Sequence, residues 1–563
     1  MTRWLPLAWA AALAVLVLGP ALGPGYVLIR DMVWVPDLPL RSDMLGLGSA
    51  LPRAVPSDAV VAALDEVVPG MLLQKLVLLG ALVGAGTGCA ALVGGGLVAR
   101  LVAVSVGVWN PFVVERLAIG HWPVLLGYAA VPWLAVAGRR IATGGRIPAW
   151  APLVLVAGSL SASAGLVSAA VLLVTALAGG VRRRSTLPLA LMVVAANAPW
   201  VAAGLTHAGL ATSAAGFRPF ATASDGLPAP LAVLTFGGIW NADVVPTSRE
   251  GALAWIGLLA MLCLAACGAR RWWRSEPPGQ QIALLVLWGV GVGLALLSWA
   301  SPDAMADASA HVPGLALLRD GSRSLALALP LTVGVVATGA ARLVDVARQS
   351  VGRWSLAVAV VLLPIAVLPD VAWGIGGALQ PAHYPDEWLA ARTTVRAGEG
   401  DAIILPWSAY RAPAWNGHRP VIDPLARLVP ADVVTNQDLV VGSMTVAGED
   451  PRARRVSTAL AAPTPSGRAD ALRALGVRWV LVEKDAGEAP SVHGRVVHDG
   501  PLLRIIRLDG NVPLASPSTA RSIATAAAWA AFVGLVLVDL AGVVRTARVR
   551  MTTSGLPAGS VRD

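Results

Sequence analysis

The amino-acid sequence predicts a polytopic α-helical membrane protein of about twelve transmembrane spans with a small extracytoplasmic α/β domain. Three observations predict it. Of 563 residues, 56% are hydrophobic and only 13% charged, with a mean hydropathy of +0.68, too apolar for a chain surrounded by water. Twelve apolar runs approach the roughly 20 residues that cross a bilayer. The short gaps between runs alternate between arginine-rich and acid-rich, and basic gaps stay in the cytoplasm while acidic ones tolerate export.

Read against their breakers, the runs lie near 5–22, 71–95, 101–118, 122–138, 149–163, 166–181, 187–206, 252–269, 281–300, 324–341, 354–376 and 522–544. The opening MTRWLPLAWAAALAVLVLGPALG starts like a secretion signal, but the chain continues through further spans, so it reads as an uncleaved first span. The pair 149–163 and 166–181 is short and basic on both flanks, with Arg139, Arg140 and Arg146 before it and Arg182, Arg183 and Arg184 after it. Matching flanks demand a hairpin or re-entrant loop, with Ser159, Ser161 and Ser163 at its tip. With the N-terminus inside, the cytoplasmic gaps collect Arg100, Arg270, Arg271, Arg274, Arg342 and Arg545 besides these, against only Glu276, Asp345 and Asp563. Both termini are therefore expected in the cytoplasm of a plasma-membrane protein.

The expected organisation is a bundle over 1–376 with a long first exterior loop at 23–70, an extracytoplasmic α/β domain over 377–520, a last transmembrane helix over 521–545 and a disordered cytoplasmic tail over 546–563. The polar domain rests on strand-like DAIILPW, VRWVLVEK and LLRIIRL, with helix-like stretches at 385–396 and 466–475. A net charge of +10 would suit nucleic acid in a soluble chain, but here it sits in short gaps where it sets orientation, and nucleic acid is excluded. Cys89, Cys263 and Cys267 lie in apolar runs and form no metal spacing or disulfide framework. No internal repeat supports an inverted-repeat transporter.

Four stretches carry candidate chemistry. Asp31, beside Arg30 at the end of the first span, has the depth to act as general base or divalent-metal ligand for a lipid-linked substrate; a solvated pair flanking a helix end is the plainer alternative. The segment VWNPFVVERLAIGHWPVLLGYAAVPW places Glu115, Arg116 and His121 between Trp109, Trp122 and Trp133. Such groups near a bilayer are costly unless paired or in contact with water or ligand. Arg116 and His121 suit the phosphate of a lipid carrier, with structural pairing of Glu115 and Arg116 as the alternative. LTFGGIWNADVVPTSREG offers Trp240, Asn241 and Arg249, materials of a sugar site or of an interfacial loop. WSAYRAPAWNGHRP offers Trp407, Tyr410, Arg411, Trp415, Asn416, His418 and Arg419 toward a glycan.

Taken together, Asp31 after the first span, the long first loop, NPFVVERLAIGHWPVLLGYA, GGIWNADVVPTSRE and a domain ending ALRALGVRWVLVEKD resemble the actinobacterial polytopic glycosyltransferases of the GT-C fold. That class includes decaprenyl-phosphate-dependent arabinofuranosyl- and mannosyltransferases. The resemblance implies inverting transfer of a sugar from a polyprenyl-phosphate donor to a cell-envelope glycan or glycolipid acceptor at the outer face, among membrane lipids. It implies Asp31 as base with Asp37 and Asp43 in reserve, and Arg116 and His121 on the donor phosphate with Glu115 in support. Trp240, Asn241, Arg249, Trp415 and His418 would meet the acceptor. One departure is that Met32 follows Asp31 where several such enzymes carry a second acid. Two other functions fit a many-span chain. A transporter or flippase of a lipid-linked substrate would need a polar route through span interiors that are almost free of polar residues, and a non-catalytic envelope-assembly scaffold would use the outer domain for docking.

Overall fold

The computed structural model describes residues 4–179, 183–210, 216–312, 314–347, 349–442, 444–514 and 516–553. Its helices are α1 (Leu5–Leu18), α2 (Gly70–Leu92), α3 (Leu97–Val108), α4 (Pro111–Ala118), α5 (Trp122–Gly144), α6 (Ala151–Gly158), α7 (Ala162–Leu177), α8 (Arg183–Thr206), α9 (Ala252–Ser275), α10 (Pro278–Ala300), α11 (Leu329–Val346), α12 (Ser350–Val367) and α13 (Thr519–Thr553), besides short helices within loops and the polar domain. Among the described residues, ten helical segments are long and apolar enough to cross a membrane. In three of them separate helices join: α1 runs on into a 3₁₀ turn ending at Leu22, α3 runs on into α4, and a 3₁₀ stretch from Gly321 runs on into α11.

Four expectations change on the structure. The run read as one span at 101–118 breaks at Asn110, whose side chain accepts the Val113 N–H at 3.1 Å and caps α4, with Pro111 in the first turn. Asn followed by Pro is a helix start, and it overrides the apolar run around it. The short pair at 149–181 becomes α6 and α7, of 8 and 16 residues, outside the set of ten; Ser159 donates to the Leu155 carbonyl at 2.8 Å, and Ser161 caps α7. The run at 354–376 stops at Val367, and Trp373, Gly374, Ile375 and Gly376 all take positive φ as the chain turns toward the polar domain. The last helix does not end at 545 but continues to Thr553; residues 554–563 of the expected tail lie outside the described residues.

Small residues let the bundle close. A Cβ on Gly138 in α5 would stand 1.9 Å from the Thr175 hydroxyl of α7, so only glycine permits that approach.

The strands are β1 (Tyr26–Val27), β2 (Pro381–Ala382), β3 (Asp401–Leu405), β4 (Tyr410–Arg411), β5 (Val421–Ile422), β6 (Val433–Val434), β7 (Leu439–Val441), β8 (Met444–Val446), β9 (Val477–Glu483), β10 (Arg495–Asp499) and β11 (Leu503–Arg507). Five form one sheet in the order β10-β11-β9-β3-β6, with β3 parallel to β6 and β9 and the β9-β11-β10 half antiparallel. Side-chain alternation along a strand sorts two cores. Ile403, Leu405 and Val480 pack on Val456 and Leu472 from the helices Pro451–Leu460 and Pro465–Ala474. Ala402, Ile404, Trp479 and Leu481 face the other way and join the large core shared with the first loop and the bundle.

The polar domain therefore sits on the loop that follows α1. β1 pairs with β2, Tyr384 donates to the Trp34 carbonyl at 2.8 Å, Arg427 donates to the Val33 carbonyl at 2.8 Å, and buried Arg41 reaches the Ala426 and Val429 carbonyls at 2.8 and 3.1 Å.

Candidate active site

Asp31 stands on a tight turn held from two sides. Ile29 and Met32 exchange backbone hydrogen bonds at 3.3 and 2.8 Å, and the Asp31 N–H donates to the Ile119 carbonyl at 3.0 Å. On the polar-domain side, the Arg30 N–H donates to Pro420 at 2.6 Å while the Arg30 carbonyl accepts from Ile422 at 2.8 Å. Arg30 has φ +45, a left-handed conformation that a non-glycine residue adopts only where its surroundings impose it. Gly120 makes the approach possible, because a Cβ there would lie 2.2 Å from the Met32 nitrogen. The short helix α4 and the turn after it thus meet the loop after α1 at its acid.

The side chains then form a continuous network. One Asp31 oxygen, Oδ2, faces His121 Nε2 at 3.0 Å, and the other accepts a short hydrogen bond from the Tyr410 hydroxyl. His121 Nδ1 faces Arg116 Nη1 at 3.3 Å. A guanidinium only donates, so Nδ1 must accept and the imidazole proton sits on Nε2, pointed at Asp31. Arg116 is itself held by Asp320 at 2.9 and 3.3 Å and by Ser322, and its guanidinium lies 5.4 Å from the Phe112 ring centre. Asp320 also accepts from Arg323 Nε at 2.9 Å.

Electrostatics fix the protonation states. Burial pushes the Asp31 carboxyl up, but the hydrogen bonds of His121 and the Tyr410 hydroxyl and the Arg323 charge oppose it, and the group lies below its ordinary value. Burial pushes His121 down, and the Arg323 and Arg116 charges add to this against the pull of Asp31, leaving the imidazole neutral at physiological pH. Burial and the Asp31 charge raise the Tyr410 phenol, which stays a donor. Burial opposes ionisation of Asp320, yet the Arg116 and Arg323 charges prevail and hold it well below the carboxylate range. The side chain of Asp31 remains 31% exposed while that of His121 is 10% exposed. The site thus presents an ionised, reachable carboxylate backed by a neutral imidazole, an arrangement suited to accepting a proton.

Around this acid stand further arginines. Arg30 donates to the Ala118 carbonyl and pairs with Asp243 at 3.8 Å. Glu449 bridges Arg53 and Arg319 at 2.9 and 3.0 Å, and the Arg323 side chain is 32% exposed. Next to the other end of α4 lies an apolar cleft between α3, α9, α11 and α12, lined by Val106, Met261, Val336 and Leu363, with Asn110 and Arg249 among its polar groups. Helix α4, of eight residues, carries the cleft at its start and the Asp31 network at its end. Residues 235–243 follow the same path, from Thr235 and Phe236 at the cleft to Trp240 packed on Ala118 and Ile119. Among the described residues no three His, Cys, Asp or Glu side chains converge as a metal site, and both Asp31 oxygens face hydrogen-bond donors.

No protein family and no curated protein matches the sequence. Among solved structures, the single-particle cryo-EM structure of arabinofuranosyltransferase AftD from mycobacteria matches over 91% of this chain, with a TM-score of 0.54 at 18% identity. This chain has a GT-C fold. A mutant of AftD gives a TM-score of 0.52 at 18% identity over the same 91%. The archaeal oligosaccharyltransferase AglB from Archaeoglobus fulgidus, in complex with an inhibitory peptide and a dolichol-phosphate, gives a TM-score of 0.36 at 12% identity over 85% of this chain and 69% of its own. The chain spans about two fifths of AftD, 40% and 42% of the two AftD chains.

Within the GT-C fold the sequence candidates separate. Asp31, Arg116 and His121 come together. Arg116, however, is 1% exposed with both terminal nitrogens engaged inside the protein, whereas Arg323, which shares Asp320 with it, is 32% exposed. Glu115 is buried with Oε1 unpartnered and does not bond Arg116. Asp37 pairs with Arg392 across the first loop and the polar domain, whereas Asp43 pairs with Arg41 inside the first loop and steadies the arginine that reaches the Ala426 and Val429 carbonyls. Arg249 is buried against Asp225 at 2.6 Å and donates to Thr235 at 2.9 Å. Trp415 packs between Tyr384 and Trp388, each ring centre 5.0 Å away. Trp240 stacks edge-on to Phe220 at 4.8 Å beside the end of α4, Asn241 caps the turn at Ala242–Val244, and His418 is exposed at φ +55. Sequence reasoning missed Arg323, Ser322 and the link from Tyr410 to Asp31. An arginine just before the apolar run at 324 was the one available signal, since such a charge needs a partner.

Proposed function

We propose that this chain is an inverting membrane glycosyltransferase of the plasma membrane, moving a sugar from a polyprenyl-phosphate donor to an envelope glycan or glycolipid. The observation that carries this reading is the ionised, partly open Asp31 hydrogen-bonded to a neutral His121 whose tautomer Arg116 sets. In the proposed reaction the acceptor hydroxyl gives its proton to Asp31 as its oxygen bonds to the anomeric carbon. The bond from that carbon to the phosphate oxygen breaks with its electron pair, releasing polyprenyl phosphate. Arg323 and Arg30 hold that phosphate, since guanidinium groups match phosphate oxygens in geometry and charge. His121 and Arg116 act on Asp31 and do not touch the donor. The polyprenyl chain lies in the apolar cleft at the start of α4, and Trp240 and His418 border the acceptor.

Sidedness follows from charge. His121 and Arg139 stand at opposite ends of the 23-residue α5, where Arg139 pairs with Glu276 at 3.2 Å. Arg271 and Arg353 share Asp345, both at 3.2 Å. Basic ends belong in the cytoplasm, which supports a topology with both termini inside and Asp31 at the outer face.

The test is reconstitution of the full chain with radiolabelled decaprenyl-phosphoryl arabinofuranose or mannose and an envelope membrane fraction. Wild type is expected to transfer label, and Asp31→Asn to insert normally while losing about 10² to 10⁴ in rate. Label that crosses the bilayer without transfer would instead establish a flippase.

A further inference from the structure

Resting on the glycosyltransferase reading, we propose that the Tyr410 hydroxyl occupies the place of the acceptor hydroxyl at Asp31, so that this residue decides between acceptor and water as nucleophile. The geometry assigns one partner to each carboxylate oxygen. Oδ2 belongs to His121, whose N–H is fixed toward it by Arg116. Oδ1 accepts only from Tyr410 among the described residues, and the Tyr410 hydroxyl has no other partner there. A base must lie within roughly 2.6 to 3.2 Å of the hydroxyl it deprotonates, so an incoming acceptor competes for the position the phenol holds.

Tyr410 is suited to yield it. It comes from the two-residue strand β4, paired only with β5, and its side chain reaches Asp31 from the polar domain across 379 residues of sequence. While it stays, a water molecule cannot settle on Oδ1 and attack a bound donor. An acceptor that brings its own hydroxyl, and binding contacts to pay for the exchange, displaces it. The reaction suppressed is hydrolysis: the water oxygen bonds to the anomeric carbon, its proton passes to Asp31, and the bond to phosphate breaks to release free sugar and polyprenyl phosphate.

The test uses purified full-length wild type and Tyr410→Phe with radiolabelled decaprenyl-phosphoryl arabinofuranose or mannose and no acceptor, counting free sugar and decaprenyl phosphate. Tyr410→Phe is expected to release the two one for one at about five-fold or more the wild-type rate, a small share of what a base supplies. Adding Asp31→Asn should return that rate to the wild-type level or below. With envelope membranes present, Tyr410→Phe should show a lower KM for acceptor and a kcat within about three-fold of wild type. Hydrolysis at or below wild type, or hydrolysis that persists without the Asp31 carboxylate, overturns the proposal. So does a kcat loss of about 10²-fold at unchanged KM, which would make the phenol a catalytic group. Tyr410→Leu, checked by gel filtration and unfolding midpoint, carries the same expectations if the phenylalanine variant does not fold. If wild type transfers from neither donor, the glycosyltransferase reading itself fails; transfer without the hydrolytic gain sinks only the role of Tyr410.

Discussion

Two clusters in this molecule each set an arginine among two acids and do opposite things. At the Asp31 site an arginine, two acids, an imidazole and a phenol form a chain in which both oxygens of the terminal carboxylate have partners and its side chain still reaches solvent. Inside the polar domain, Arg411 holds Asp423 at 3.3 Å and Glu483 at 3.1 Å, all three are buried, and one Glu483 oxygen has no partner. Burial and the neighbouring Asp423 charge push the Glu483 carboxyl well up, whereas hydrogen bonds and cations hold Asp31 down against its burial. Hydrogen-bond donors on both oxygens and access to solvent separate a carboxylate suited to accept protons from one that fastens a fold. The two are also connected, since Arg411 follows Tyr410 in β4 and Asp423 follows β5, the hairpin that grips Arg30.

The widest separation between the clusters should appear on Asp31→Asn, expected to remove about 10² to 10⁴ of transfer rate while leaving the unfolding midpoint unchanged. Unaltered turnover would take the base away from Asp31. The reverse pattern is expected of Arg411→Met, which strands two buried carboxyls and should cost about 3 to 5 kcal/mol of stability, read as a fall in the unfolding midpoint of the full protein in detergent.

A smaller effect sharpens the contrast. With His121 held below its ordinary value, any acid limb that it gives the wild-type kcat/KM profile should fall below about pH 6.5. Arg116→Met removes the donor at Nδ1 and one nearby positive charge. His121 should then titrate nearer its usual value of about 6.5, adding an acid limb to the profile and lowering the rate about ten-fold below it. A level profile in that variant would separate Arg116 from His121.

The smallest effect concerns Glu483. Its folded-state pKa lies above the unfolded one, so its stabilising contribution is present at low pH and fades as pH rises through the raised value. Glu483→Gln should flatten the loss of stability that sets in as pH rises above the ordinary carboxylate value of about 4.3. Amide exchange along β9 at two pH values would show it.

Much of this was legible. The alternation of charge gave the bundle, and the alternation of apolar residues gave β3, β9 and β11. Asp31 and His121 stood out because polar groups flanking apolar runs are costly without a task. What stayed hidden depended on distance along the chain. The partner of Arg116 is 204 residues away, so a buried ion pair and an open phosphate clamp read alike in sequence. Trp415 and Arg249 show the same ambiguity, since tryptophans and arginines serve sugar sites and packed cores equally. The break at Asn110 was spelled out by Asn-Pro but drowned by the hydropathy of its surroundings.

The double grip on Arg30 has a consequence for biogenesis. A nascent chain emerging from the ribosome carries Asp31 on an untethered loop until the segment around Pro420 and Ile422 has been translated and docked. The turn that holds this acid is therefore completed late, and a product truncated before Pro420 would insert its early helices without it.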